Sequence, residues 1–466
     1  MLFRFCIHPH TKPMKKQPKK SKKLALEIIN THAAGIDVGS REHYVAVGQQ
    51  ADQVKRFGVY TQDHTAVIAF LQEHSITSVA MESTGTYWQT LFSAIQSAGI
   101  EVLLTNSKQI KNPSGKTDVK DARWLQKLHT LGLLSGNFLP NEQVKQLRSY
   151  HRHRTMLSEE ATRYVLRMQK AMQQMNVRLE VALSDISGQS GMRIIQAILQ
   201  GERDGKVLAK LAHGGVKKSK EEIAAALVGN WKEEHLYELR DAYELYQEFT
   251  RRIENCEYQI NRVLMNMAQK QMAELPQDVT LTTKKRQAKQ VKVNVSQYSY
   301  QYFGTDLLAI DGIAHNTVMT LIAEVGNDIY KFSTARKFSR WLRLAPDNRI
   351  SGSKIISSRT PSGHNVLANA LRNAANTIGQ RKDGSMKKFF SRIAFKKGRT
   401  AAITATARKL AVIIWNMIVK KQAYNVQNEV DYETRIRNQV IGNLKRKMKQ
   451  LDIHIGELAE SDFLTN

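Results

Sequence analysis

Residues 33–48 read AAGIDVGSREHYVAVG. Two runs of residues that suit a pleated, half-buried surface flank a Gly39-Ser40 turn, which predicts two short strands joined tightly. Working outward, Val54–Tyr60 supplies a third strand. Asp63–His74 carries Ala66, Val67, Phe70 and Leu71 at helical spacing, with Asp63 as its N-cap. Ile76–Met81 is a β-branched run ending at Glu82. Tyr87–Ala98 is helical and stops at Gly99. Ile100–Leu104 is a further strand, and after a loop with Pro113 and Gly115 a helix capped by Thr117 runs to Leu128. The order β-β-β-α-β-α-β-α specifies a mixed sheet covered by helices.

Four carboxylates stand out by position in this segment. Asp37 lies on the first strand and Glu82 at the end of a later one, while Asp118 and Asp121 are three apart on one face of the last helix. If the two strands are central neighbours, all four side chains converge. Clustered carboxylates repel one another without a cation. Magnesium or manganese takes oxygen ligands, and a pair of such ions stabilises both the attacking and the leaving oxygen of a phosphodiester substitution. A solvated acid explains any one of the four alone, and the helix dipole explains Asp118. Neither explains the set.

The chain of 466 residues carries 70 Lys+Arg against 42 Asp+Glu, a net charge of +28. The charge is unevenly spread: +7 over 1–30, zero over 31–130, +7 over 131–300, +14 over 301–430 and zero over 431–466. An excess of this size points to a polyanion. With 42% hydrophobic residues, disorder throughout is excluded, and 8 Pro and 26 Gly disfavour a turn-rich all-β fold. Cys6 and Cys256 are too few for a disulfide framework or a four-cysteine zinc site, as in a cytoplasmic chain. No apolar run is expected to reach the roughly 20 residues that span a bilayer, and no signal peptide is expected.

These breaks divide the chain into a basic disordered arm (1–30), the acid-bearing α/β domain (31–140), a helical middle with linker (141–300), a compact basic unit (301–430) and a charged terminal helix (431–466). Residues 141–182 and 220–270 are long and lack proline, and they predict an antiparallel helix pair or coiled coil. Their RSYHRHR segment, with Arg148, Arg152 and Arg154, suits a nucleic-acid backbone. Its His151 and His153 are two apart and face different sides, which argues against zinc. Leu308–Gly326 reads as a helix-hairpin-helix turning at Gly312-Ile313, a device that offers backbone N–H groups to phosphate. Further on, Arg349, Lys354, Arg359, Arg372, Lys396, Lys397 and Arg399 are candidate nucleic-acid contacts. The stretch Arg399–Lys409 (RTAAITATARK) is a small-residue helix suited to close approach, and Trp415 reads as core.

Three blocks, GIDVGSREHYVAV, AMESTGTYW and NPSGKTDVKDARWL, resemble the RuvC-like (RNase H-fold) domain of DEDD insertion-sequence transposases, recombinases that pair with a bridge RNA. The likeness runs from Gly35 to about Leu134 and from Ile310 to about Met417. It implies Asp37, Glu82, Asp118 and Asp121 as a magnesium-binding tetrad. In the second stretch, Leu344-Ala-Pro, Ile350-Ser351-Gly352 and Ser362-Gly363 match the block whose serine attacks DNA, which puts that role on Ser351, with Ser353, Ser357, Ser358 and Ser362 as rivals. Here the sequence departs from the family pattern. Ala368 stands where an Arg is usual, with Arg372 one turn later, and His364 separates Gly363 from Asn365. The resemblance further implies guidance by a bridge RNA, donor and target DNA as substrates, and a dimer or tetramer in which one subunit's carboxylates meet another's serine. A metal-dependent nuclease or junction resolvase using water, and an inert nucleic-acid-binding scaffold, are the alternatives.

Overall fold

Helical caps, strand registers and packed cores are described for residues 27–48, 53–83, 85–106, 110, 117–269, 281–284, 292–422, 424 and 427–451 of a computed structural model. The lysine-rich arm up to residue 26, Lys116 and most of the 275–305 linker's first half lie outside these residues. The chain forms two units, Met1–Leu139 and Pro140–Asn466.

The first unit runs β1 (Ala33–Val38), β2 (His43–Ala46), β3 (Val54–Phe57), α1 (Thr61–Glu73), β4 (Ser78–Glu82), α2 (Trp88–Ser97), β5 (Glu101–Thr105) and α3 (Asp118–Thr130). This is the expected order. The sheet reads β3-β2-β1-β4-β5, with β1 antiparallel to β2 and parallel to β4. It is a mixed α/β arrangement compatible with an RNase H-like domain. Alternation along the strands divides the residues between two faces. Ile36, Val38, Val79 and Met81 join Val67, Leu71, Leu91 and Ile95 in one core. Ala80 packs with Ile110 and Leu125 in another, beneath α3. One cap differs from expectation. Helix α1 begins at Thr61, so Asp63 sits inside its first turn, where its carboxylate accepts the Tyr60 N–H at 2.9 Å.

The second unit is mainly helical. It continues with α4 (Glu142–Gln174), α5 (Leu179–Ala182), α6 (Gln189–Leu199), α7 (Gly205–Lys210), α8 (Lys220–Ala226), α9 (Glu233–Gln269), α10 (Val295–Phe303), α11 (His315–Glu324) and α12 (Ala335–Trp341). A hairpin of β6 (Arg349–Ser351) and β7 (Lys354–Ser357) follows, then α13 (Val366–Gln380), α14 (Ser385–Lys397), α15 (Arg399–Val419) and α16 (Gln427–Gln450). Helices α4 and α9 pack antiparallel. Cys256 Sγ meets Tyr150 O at 3.3 Å and Arg154 pairs with Glu257, while further along α4 Tyr164 stacks on the earlier residue Phe249 at 5.4 Å, so α9 runs back along α4. At the far end α5 to α8 pack against the pair, and Met168, Met172, Ile194, Ile198, Leu208 and Leu239 share one core. That end is a multi-helix core and not the two-helix seam the sequence suggested.

Two further expectations change. The first arm of the Leu308–Gly326 motif is a single 3-10 turn, Leu307–Ala309, which is too short for a helix-hairpin-helix. Gly312 makes the bend at φ +79°, where a Cβ would lie 2.6 Å from the Ile378 side chain. Among the described residues one helix, Arg399–Val419, is long and apolar enough to cross a membrane, where none was expected. Its face through Leu410, Ala411, Ile414 and Ile418 is buried in the unit's core. Trp415 is core as expected, its indole N–H donating to Phe332 O at 3.0 Å.

Candidate active site

The acid cluster is built by one close contact. Gly35 on β1 faces α3, and a Cβ there would lie 2.5 Å from Ala122 O and 2.7 Å from Gln126 Cα, closer still to Gln126 N. Only glycine lets a helix rest its backbone on a strand in this way. Gln126 secures the contact, its Nε2 donating to Ala33 O at 3.3 Å, while His129 Nε2 meets Ser78 Oγ at 2.6 Å. Running along α3 from Gln126 to Ala122 therefore follows β1 from Ala33 to Gly35. One more step, two strand residues and one helical turn, brings Asp37 to the level of Asp118 and Asp121.

The fourth acid arrives through the register. Ile36 lies opposite Met81 in the parallel pair of β1 and β4, so Asp37 and Glu82 are the next residues along, on the face that carries Gly35 and Ala80. Thr117 holds the start of α3, its Oγ1 accepting the Lys120 N–H at 3.4 Å. The four predicted carboxylates are thus brought to one side of the sheet, at the C-terminal ends of its two central strands.

Electrostatics registers the crowding. The Asp37 carboxyl is raised from 3.8 to about 6, chiefly by burial and then by the charges of Asp118, Asp121 and Glu82. Burial and like charge both favour the protonated form, and a bound cation would oppose both. The donor chemistry, carboxylate oxygen throughout, fits magnesium or manganese. Among the described residues, no group of three Asp, Glu, His or Cys side chains stands in metal-holding geometry. The arrangement is an open acidic cluster, not a closed cage.

A neighbouring residue was missed by the sequence reading. Tyr44 lies opposite Asp37 across the β1–β2 register. Its hydroxyl donates to Glu42 at 3.0 Å, and Glu42 pairs with Arg56 at 3.2 Å. The phenol is raised first by that hydrogen bond, and Asp118 adds to it. The signal was present in the alternation of His43-Tyr44-Val45, which turns Tyr44 to the face of Asp37.

In the second unit, Ser351 ends β6 at an exposed hairpin. It is paired with Lys354 across a turn whose Gly352 has φ +57°. The sequence pattern marks this stretch only as a basic loop. Arg349, Lys354 and Arg359 are exposed on the same hairpin and its exit. Of the rival serines, Ser353 occupies the turn, Ser357 Oγ accepts the Arg359 N–H at 3.4 Å, and the Ser362 carbonyl accepts from Arg343. At the two departures from the family pattern, Ala368 is fully buried and donates its N–H to the Asn365 cap at 2.9 Å. Arg372, half-buried, donates to Asn369 Oδ1 at 3.1 Å.

The RSYHRHR arginines are placed differently from expectation. Arg154 is buried against Glu257, with side-chain exposures of 8% and 7%. Arg148 bonds Glu324 O and Ala323 O, and Arg152 grips the Glu324 carboxylate with two 2.8 Å hydrogen bonds. They tie α4 to α9 and α11, because a buried acid needs a charged partner more than a surface needs another cation. Arg399 is likewise engaged, donating to Asn376 Oδ1 at 2.8 Å. Lys396 and Lys397 line a groove together with Arg392, Arg408 and Lys409.

Two family models match the chain. One, a transposase model of the DEDD type, covers residues 34–177. The other, described as the transposase IS116/IS110/IS902 family, covers 305–391. The transposase for insertion sequence element IS1111A of Coxiella burnetii (strain RSA 493 / Nine Mile phase I) is 28% identical over 120 residues. That stretch is 25% of this chain and 33% of the relative, so the chain matches about a third of the relative's length. The first model contains all four carboxylates, and the second contains Ser351.

Proposed function

Because the chain belongs to the IS116/IS110/IS902 family of transposases, we propose that it cuts and rejoins DNA strands to move an insertion element. The observation that carries this reading is the convergence of Asp37, Glu82, Asp118 and Asp121, with Asp37 driven up to about 6 by burial and by its acidic neighbours. Those four residues would hold the divalent cation, magnesium or manganese. When bound, the cation supplies Lewis-acid stabilisation of charge on phosphate oxygens. Tyr44 borders the cluster and orients Glu42 and Arg56 around its rim.

Ser351 is the proposed nucleophile. Its Oγ bonds to the phosphorus of a DNA phosphodiester as its proton leaves, and the bond from phosphorus to the deoxyribose oxygen breaks, that oxygen taking up a proton. A free hydroxyl is a weak nucleophile and depends on a base or an oriented phosphate. Exposed Arg349, Lys354 and Arg359 are suited to orient one. A site shared between subunits of a dimer or tetramer, one supplying the carboxylates and another the serine, follows from the family resemblance. Target choice through a bridge RNA follows from the family resemblance and leaves the protein mainly backbone contacts.

The test is a suicide DNA substrate that traps a covalent adduct. Wild-type protein is expected to form a phosphoserine link. Ser351→Ala is expected to lose the link and recombination, and Asp121→Asn to lose activity while binding DNA within about twofold. Cleavage that persists in Ser351→Ala and fails in Asp121→Asn assigns water as the nucleophile and makes the protein a nuclease. Unchanged activity in Asp121→Asn removes the acid cluster from the chemistry.

A further inference from the structure

The second unit carries a groove of about 1190 Å³ between α14, α15 and the segment that leaves the serine hairpin. Its floor is the small-residue face of α15, formed by Thr400, Ala401, Thr404 and Ala405, where side chains leave room for a backbone to come close. Arg359, Arg392, Lys396, Lys397, Arg408 and Lys409 rise around it. No acidic residue lines it, and no Asp or Glu occurs in the sequence between Asp383 and Glu429. Two of the cations are held in place by packing, Arg392 at 5.6 Å and Lys409 at 4.9 Å from the Phe389 ring. Ser358, Arg359 and Thr360 belong both to the groove and to the exit of the hairpin that presents Ser351.

We propose that this groove holds a single nucleic-acid strand by its phosphates and leads it toward Ser351, an inference that rests on the strand-transfer reading above. The floor from Thr400 to Val412 is about 18 Å long at 1.5 Å per helical residue. That length follows about five phosphates at the 3.4 Å spacing of one stacked strand, close to the number of cations present. The apolar part of the lining selects a single strand over a duplex. Pro346, Phe389, Ile393 and Val412 are among the lining residues. A duplex keeps its bases inside and offers this lining no base face. A single strand exposes base faces that an apolar, aromatic surface takes up.

The experiment uses the full chain in EDTA, so that no chemistry intervenes, and measures anisotropy of labelled dT15, U15 and a 15-base-pair duplex over a salt series. Lys396→Gln/Arg408→Gln is expected to weaken dT15 binding about tenfold and to lower the log–log salt slope by about 1.4, or about 0.7 for each phosphate no longer neutralised. Duplex binding should stay within twofold. Thr404→Tyr fills the floor without changing charge. It should weaken dT15 with the slope unchanged, and its melting temperature reports whether the fold is kept. Single Lys396→Gln serves if the double variant fails to fold. An equal loss on U15 means the groove reads the backbone whatever the sugar, and a loss confined to one oligonucleotide assigns DNA or RNA. Unchanged binding of both single strands, or an equal loss on the duplex, overturns the proposal. The Ser351 adduct, trapped separately in metal-containing buffer, reports on the strand-transfer reading. A normal adduct with unchanged strand binding sinks the groove alone, and strand binding that responds as expected without any adduct sinks the serine assignment alone.

Discussion

His151 lies in the middle of α4 with its Nδ1 buried and unpartnered, and its pKa falls from 6.5 to about 4. Burial is the main cause. Glu324 opposes it, and the charges of Arg154 and Arg152 add to it. The imidazole is therefore neutral in the fold and protonates first in the unfolded chain. The unfolded state binds more protons between pH 6.5 and about 4, so stability is complete above that window and is lost as pH falls through it. The loss amounts to roughly 3 kcal/mol once pH is below about 4, from about 1.4 kcal/mol for each unit between the two values. His151→Leu is expected to flatten this dependence in denaturant titrations at pH 7 and pH 4.5, and equal slopes in both proteins would show that His151 is not the group responsible. The same neighbourhood shows what sequence left hidden. The charge of Arg148, Arg152 and Arg154 was plain, but their partners Glu324 and Glu257 are more than a hundred residues away in sequence.

Between elements, the decisive contact is α3 against β1 at Gly35. The sequence reading put the turn at Gly39-Ser40 and gave Gly35 no role beyond its place at the first strand, whereas the structure uses Gly35 to admit a helix backbone. A methyl group there must push α3 away from the sheet. Because Asp118 and Asp121 begin that helix, they move with it. Gly35→Ala is expected to destabilise the first unit by about 1–3 kcal/mol, the usual cost of overpacking, and to reduce DNA cleavage about as much as Asp121→Asn. Full cleavage with an unchanged melting temperature would show that the cluster does not depend on this contact. Elements with strong local signals were legible: every strand and helix of the first unit occurs in the expected order, and Thr117 caps α3. The β6–β7 hairpin was not. Its strands are short and exposed, so no buried face imposes the alternation that marks a strand.

Across the protein, charge separates by unit. The acid-bearing residues 31–130 are neutral overall, and 301–430 carry +14. Nucleic-acid affinity is therefore expected to fall steeply with salt, and deleting the arm 1–30, net +7, should lower the log–log slope while adduct formation through Ser351 persists. An unchanged slope would mean the arm makes no phosphate contacts. The sequence by itself determined the α/β order of the first unit, the four carboxylates and the placing of positive charge, because period, caps and net charge are local properties that add along the chain. Only the tertiary structure decided that those carboxylates share one side of the sheet. It alone shows that the RSYHRHR arginines are bound internally and that Lys396 and Arg408 border one groove. Those outcomes depend on which distant residues meet, and burial sets the strength of each charge by whatever partner the fold brings to it.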